Sequence, residues 1–446
     1  MRPDEMLKDI EKRLEKLNIY ELRQVARAVG VHRPADGKKS RIEEDILGIA
    51  SGAVTPIEQS RRGAPPKSQQ YDEKLVADIN ACRKAHLSQS FEVDEPDEFK
   101  NVLRVNDSGA NSEGEISGFL RIDGNRASLY ACGDFSGGGV TVHQMFIARH
   151  SLKTGDFIKG RCVGGNNRIP ALAEIYFING IAAGEREERR SFDELTHIYP
   201  ATTLKTEHKS GGLACRFIDL FSPLALGQRG FLKCPTKSEK SEIIKAVAAG
   251  ISCNHPRLKV IVILIDELPE VISDFKKHLS GATLLYTTFA SPRESHIVTA
   301  RMGFEHAKRI AEDGGDAVIL FDGVTRLAHA YGEDYAAEIK KLLFCACNAE
   351  EGGSLTVLST LLNDGGEIYG EFSPLANMAV TLSTELAEKR LFPAVDIKNS
   401  FADREEYLLS AKELGAANAL RTLPAEEVFK LFNETRTNAE LIDKLI

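Results

Sequence analysis

The sequence predicts a multidomain chain: a helical module, then a small β-barrel, then an α/β domain built to hold a nucleoside triphosphate. Three observations carry the last and largest part. Residues 260–265 and 317–321 are short, unbroken apolar runs rich in Val and Ile, the pattern of strands buried on both faces of a parallel sheet. Each run ends on carboxylates, Asp266-Glu267 and Asp322. Ahead of them, Lys237-Ser238-Glu239-Lys240-Ser241 follows a strand-like stretch and precedes a helix-like segment, residues 242–253. Ligands of open parallel sheets collect at the carboxyl ends of the strands, so this loop, Glu267 and Asp322 are expected on one edge. Together they are a phosphate loop, a base for water and a metal-side carboxylate.

The chain in order adds the other parts. Residues 1–50 read as helices, with Leu7, Ile10, Leu14 and Leu17 at helical spacing, then Leu22, Val25, Ala26 and Val29. Gly30 closes a helix, and Pro34-Ala35-Asp36-Gly37 reads as a turn. Residues 51–95 read as a linker, because Ser60 to Gln70 is basic, proline-bearing and without periodicity. Residues 96–190 carry short strand-like pieces, among them Gly118-Phe119-Leu120-Arg121 and Val140-Thr141-Val142, with glycines and Asn-Asp turns between them, the pattern of a small barrel. Residues 191–446 form the α/β domain, and two amphipathic stretches near its end, about 405–409 and 427–432, read as packing and subunit-contact helices.

Composition sets limits. The 446 residues carry a net charge of −8, which argues against a wholly basic nucleic-acid binder but not against a local basic surface. The eight cysteines are scattered, and Cys345-Ala346-Cys347 lacks zinc-ligand spacing, so a reducing cytoplasmic setting is expected. No apolar run approaches the ~20 residues that cross a bilayer, and Met1-Arg2-Pro3 does not open a signal peptide; no membrane partner is expected.

From Tyr199 to about Asp396 the chain resembles the transcription terminator Rho family. The resemblance rests on Leu226-Gly227-Gln228-Arg229-Gly230, Leu264-Ile265-Asp266-Glu267, Leu320-Phe321-Asp322-Gly323-Val324-Thr325-Arg326, Glu350-Glu351-Gly352-Gly353-Ser354 and Ala387-Glu388-Lys389-Arg390-Leu391-Phe392-Pro393-Ala394, in that order. The first 50 residues resemble the family's SAP-like module. Gly118-Phe119-Leu120-Arg121 matches the signature of its cold-shock-like (OB) barrel. The resemblance implies a RecA-like domain in a homohexameric ring, or a mixed ring with another Rho, acting on RNA and RNA polymerase with ATP and Mg²⁺. It implies that Lys237, Ser238, Glu239, Lys240, Ser241 and Glu242 line the phosphates, with Ser241 and Asp322 on the metal side. Glu267 would activate water, Arg326 would read the γ-phosphate, Phe372 would stack on adenine, and Phe119 and Arg121 would meet RNA.

The sequence also departs from that family. Glu239 stands where the phosphate loop wants glycine. A like-charge pair at ~4 Å and an effective dielectric of ~20 costs ~4 kcal/mol, so nucleotide affinity is expected to fall unless Glu239 turns to solvent or to Lys233. Thr384 occupies the arginine-finger position, and a finger is worth ~10³–10⁵ in rate. Leu268 replaces an arginine beside Glu267, and the two central RNA-gripping loops are shortened to Tyr331-Gly332-Glu333-Asp334-Tyr335 and Asn363-Asp364-Gly365-Gly366-Glu367. Ser117 and about Thr141 stand at two aromatic platforms of the barrel, and each stacked base lost is worth ~1–3 kcal/mol. Two readings follow: a terminator with weakened ATP hydrolysis, or a silent relative that regulates by binding. A generic RecA-like ATPase unrelated to RNA is disfavoured by the two N-terminal parts.

Overall fold

The structure is a computed structural model. It describes residues 10, 12–14, 16–29, 31, 39–50, 74–79, 114–131, 135, 139–164, 170–186, 189–209, 211–235, 239–279 and 281–445. The chain divides into two compact units, Met1–Phe99 and Lys100–Ile446.

In the first unit, helices Ile19–Val29 and Lys39–Ala50 pack through the residues that the helical spacing picks out: Ile10, Leu14, Leu22, Val25, Ala26 and Val29 are buried with Ile42 and Ile46. Asn18 starts the first helix. Its Oδ1 accepts the Tyr20 and Glu21 amides at 2.9 and 3.0 Å, and Glu21 Oε2 accepts the Asn18 amide at 2.9 Å, a reciprocal cap. Part of the stretch expected to be linker belongs to this core. Residues 74–79 are helical, Leu75 and Ile79 are buried against it, and Arg13 Nη1 donates to Asp78 Oδ2 at 2.6 Å. The apolar spacing of Leu75, Val76 and Ile79 is the reason, and the basic tract before it masks that spacing. Lys38 lies outside the described residues; Lys39 sits 3.7 Å from Glu43, and Arg41 is exposed.

The second unit opens with a barrel of six strands: β1 (Gly114–Asp123), β2 (Arg126–Tyr130), β3 (Val140–Thr141), β4 (Phe157–Val163), β5 (Ala171–Ile178) and β6 (Ile181–Ala182). Their order is β3-β2-β1-β4-β5-β6, and a β3–β5 pairing closes it. Leu120, Leu129, Val140, Ile158, Leu172 and Ile178 fill the inside. Gly118 is required by the β1–β2 approach, since a Cβ there would stand 2.2 Å from the Tyr130 carbonyl oxygen.

The α/β domain follows with β7 (His197–Ile198), β8 (Arg229–Cys234), β9 (Lys259–Glu267), β10 (Ala282–Thr288), β11 (Ala317–Asp322), β12 (Cys347–Ala349), β13 (Ser354–Leu362), β14 (Met378–Thr381) and β15 (Phe401–Ala402). The main path is β10-β9-β11-β13-β8-β14-β15, parallel up to β14 and antiparallel at the β15 edge. Both apolar runs are central strands, and every residue of β11 is buried. One face is covered by Gly212–Phe221, Lys240–Asn254 and the C-terminal helices, the other by Arg293–Glu312, Val324–Tyr331 and Tyr335–Leu343. Arg216 fastens the C-terminus, with Nη1 donating to the Phe432 and Thr435 carbonyls at 2.9 and 2.7 Å.

Barrel and α/β domain meet over a buried, charged contact. Asp156, fully buried, accepts from Arg189 Nη1 and Nη2 at 2.8 and 2.7 Å and from Asn179 Nδ2 at 2.8 Å. Arg186 bridges to Asp313 at 3.1 Å, and Lys153 reaches Glu312 at 3.2 Å. Burial opposes the charge on Asp156, but the Arg189 hydrogen bonds and charge, the Lys153 amide and Arg186 outweigh it and hold the carboxyl below its ordinary range. Gly155, at φ 94°, lies so close to Glu305 that a Cβ would come within 2.5 Å of its carbonyl carbon.

Candidate nucleotide site

Parallel pairing puts the ends of β9 and β11 side by side, with Asp322 opposite Leu264. The helix Lys240–Asn254 begins beside them because residues 243, 244, 247, 248 and 251 form its apolar stripe and bind it to the sheet. Lys240 Nζ donates to both oxygens of Asp322, at 2.6 and 2.7 Å, and stands 3.9 Å from Glu267 Oε2. Arg326 pairs with Glu267 Oε2 and donates to the Ile265 carbonyl at 3.1 Å. Burial works against the Arg326 charge, but Glu267 and Asp322 hold its pKa above the ordinary value. Thr360 Oγ1 donates to Asp322 Oδ1 at 2.7 Å. Lys240, Glu267, Asp322 and Arg326 therefore form one connected ion network, with Glu267 and Asp322 almost fully enclosed.

Ser241 and Glu242 lie in the first turn of the same helix, Ser241 half-buried and Glu242 exposed. Lys237 and Ser238 fall outside the described residues. Asp322, Glu267 and Ser241 offer only hard oxygen donors, which suits magnesium rather than a softer metal.

Glu239 turns neither to open solvent nor to Lys233. Its Oε1 accepts the Ala394 amide at 2.6 Å, while Lys233 Nζ stands 5.8 Å above the Phe401 ring. Burial pushes the Glu239 carboxyl up, the Ala394 amide draws it back, and Glu242 adds to the rise.

Two aromatic expectations need correction. Phe372 is fully buried within the core between sheet and helices, 6.1 Å from the Tyr335 ring, as the one buried residue of the short helix Glu367–Phe372, so its ring is covered by protein and not open to a base. Phe392 is 45% exposed instead and lines a cavity of about 290 Å³ with Pro393, Leu213, Ala214, Ile243 and Glu239. Phe119 is 1% exposed, its ring edge-on to Phe157 at 5.0 Å and to His306 at 4.9 Å. It serves the contact between barrel and α/β domain and offers no open platform. Arg121 stays partly exposed and pairs with Asp123 at 2.7 Å.

Phe392 and Thr360 are not among the residues that the sequence points to. Phe392 was visible as an aromatic before Pro393 within a matched motif. Thr360 had no signal, because its role arises only from β13 lying beside β11. Two of the departures sit at the surface: Leu268 is 46% exposed and Thr384 is exposed at the start of Thr384–Glu388. The two shortened loops meet at a second cavity of about 390 Å³, lined in part by Gly332, Tyr335, Asp364 and Glu367.

Residues 214–402 match the family model for the ATP synthase alpha/beta family, nucleotide-binding domain. Over 329 residues, 66% of this chain and 64% of the relative, the sequence is 35% identical to the transcription termination factor Rho of Rhodopirellula baltica, so it spans just under two thirds of that protein. It is 36% identical to the Rho of Bacillus subtilis over 67% of this chain and 76% of that one. It is 36% identical to the Rho of Pseudomonas aeruginosa over 67% and 79%. With Lys240, Glu267, Asp322 and Arg326 gathered on one sheet edge and these relatives alongside, the chain belongs to the transcription termination factor Rho family.

Proposed function

We propose that this chain binds ATP with Mg²⁺ at the carboxyl edge of the sheet and acts as a Rho-type, RNA-binding ring protein in transcription termination, with weakened ATP hydrolysis. The observation that carries the reading is the convergence of Lys240, Glu267, Asp322 and Arg326 on one strand edge. In finer terms, residues 1–50 are a SAP-like module, 51–95 a tether in part, 96–190 a cold-shock-like barrel and 191–446 a RecA-like domain. The ring is a hexamer, or a mixed ring with a second Rho, working on nascent RNA and RNA polymerase in the cytoplasm. No helix among the described residues is long and apolar enough to cross a membrane.

Each residue has a task in that reading. Lys240 leaves Asp322 for the β- and γ-phosphates. Ser241 and Asp322 hold magnesium, which when bound neutralises phosphate charge. Glu267 orients the attacking water and takes its proton, and Arg326 holds the Glu267 carboxylate in place. Phe392 and Pro393 take the base in their cavity, the part that the family resemblance gives to Phe372.

Weak turnover is supported by Glu239 at the phosphate end, Leu268 beside Glu267 and Thr384 at the finger position. These departures also favour the second reading, a silent relative that regulates by binding RNA, RNA polymerase or an active Rho. Phosphate release with ATP and poly-cytidine RNA separates the two. Little release from the wild type, raised by Glu239→Gly with Thr384→Arg, supports weakened hydrolysis. No release from either protein favours the silent relative, and fast release from the wild type overturns both.

A further inference from the structure

Glu239 bonds to a segment far along the chain. It is the residue before the helix Lys240–Asn254, and its carbonyl accepts the Glu242 and Ile243 amides at 3.0 and 3.2 Å. Its side chain leaves that axis and takes the Ala394 amide at 2.6 Å. Ala394 directly follows Phe392 and Pro393, one wall of the 290 Å³ cavity; Leu213, Ala214, Ile243 and Ala246 form the other. The segment is tied from its far side as well, since the Ser383 amide donates to the Ala394 carbonyl at 2.8 Å and the Asp396 amide to Thr381 at 2.8 Å. An amide bonded to a half-buried carboxylate is among the stronger neutral-to-charged contacts.

The geometry points to Glu239 as a positioning residue that pins segment 392–394 against the first turn of the helix and so sets the width of the base cavity. This rests on the nucleotide reading above and gives it a ligand preference. The carboxylate repels a triphosphate while its hydrogen bond preserves the base slot, so the site grades adenosine and its phosphates only weakly by phosphate number. The charge and the acceptor are separable: glutamine keeps a carbonyl oxygen for Ala394 and drops the charge, whereas alanine drops both.

The test uses the full chain in three forms, wild type, Glu239→Gln and Glu239→Ala. Amide hydrogen exchange across residues 391–396 reads the strap without any ligand. Exchange at Ala394 is expected to accelerate at least tenfold in the alanine variant and to stay within about twofold in the glutamine variant. Calorimetry with adenosine, and separately with ATP and magnesium, reads the cavity. Glutamine is expected to leave adenosine binding unchanged and to tighten ATP about tenfold, and alanine to weaken adenosine severalfold. Ala394 exchange indifferent to the residue at 239, or equal adenosine affinity in both variants, overturns the positioning role even where ATP binds. Exchange that follows the acceptor while no form binds adenosine or ATP overturns the nucleotide reading, and the ligand preference with it.

Discussion

Both oxygens of Asp322 accept from the ammonium of Lys240, so the cation that ATP would draw and the anion that magnesium would draw satisfy each other. The pair lies at the end of a strand with no exposed residue, and Thr360 takes a further lone pair of the carboxylate. A ligand has to divide this pair before it can use either half, which makes the resting site self-complementary.

Lys240→Ala is therefore expected to act twice. ATP affinity falls at least tenfold by calorimetry, since the charge facing the phosphates is gone. Stability falls as well, because Asp322 keeps the Thr360 hydrogen bond and the nearby Arg326 charge but loses its closest ion partner. Removing one member of a buried ion pair costs about 3–5 kcal/mol, and the partial exposure of Lys240 lowers the expectation to about 1–3 kcal/mol by urea denaturation. Unchanged ATP affinity would remove Lys240 from the site.

The two phenylalanines of the C-terminal half should separate cleanly. Phe392→Ala is expected to weaken adenosine and ATP alike, by about 1–3 kcal/mol if the ring stacks on the base, with little loss of stability. Phe372→Ala opens a hole in the core and is expected to cost about 3–5 kcal/mol of stability while leaving the cavity wall intact. A Phe372 variant that loses base affinity without losing stability would return the base to the inner position.

These contrasts show what the sequence could and could not tell. The strands of the sheet were legible because residues 260–265 and 317–321 are apolar without alternation, which only burial on both faces explains. Glu267 and Asp322 were legible because a carboxylate at the end of such a run is placed by the strand itself. Phe372 and Phe119 depart from the sequence expectation for one shared reason. Each lies in a recognisable motif, but whether its ring faces a ligand or a neighbouring layer is decided by packing between elements far apart in the chain, as with Phe119 against His306. The Glu239–Ala394 bond spans 155 positions and leaves no local trace.

Phe119 carries its own prediction. With its ring enclosed by Phe135, Phe157 and His306, Phe119→Ala is expected to cost about 3–5 kcal/mol of stability. RNA affinity, measured by filter binding at a temperature where both proteins are folded, should change less than about twofold. A loss of RNA binding as large as one stacked base, about 1–3 kcal/mol, would show that the ring does reach RNA.

His306 should make the same contact sensitive to acid. Its Nδ1 lies 2.9 Å from the Gly155 carbonyl, which casts Nδ1 as the donor of a neutral ring, and burial pushes its pKa down to about 4. The Gly155 carbonyl and Asp156 oppose that fall, and Lys259 adds to it. An unfolded chain takes up a proton near pH 6.5 that the folded chain refuses until about pH 4, so stability declines as pH drops through that window. Between pH 6.5 and 4.5 the decline attributable to this one group is about 2–3 kcal/mol. Asp156, whose carboxyl is held low, stabilises above the carboxylate range and loses its contribution only at lower pH, so the two windows are distinct. His306→Asn keeps an N–H for Gly155 and removes the titration. Urea denaturation at pH 7, 5.5 and 4.5 is expected to show a flatter profile for this variant than for the wild type, and parallel profiles would mean that His306 is free to take its proton in the folded state.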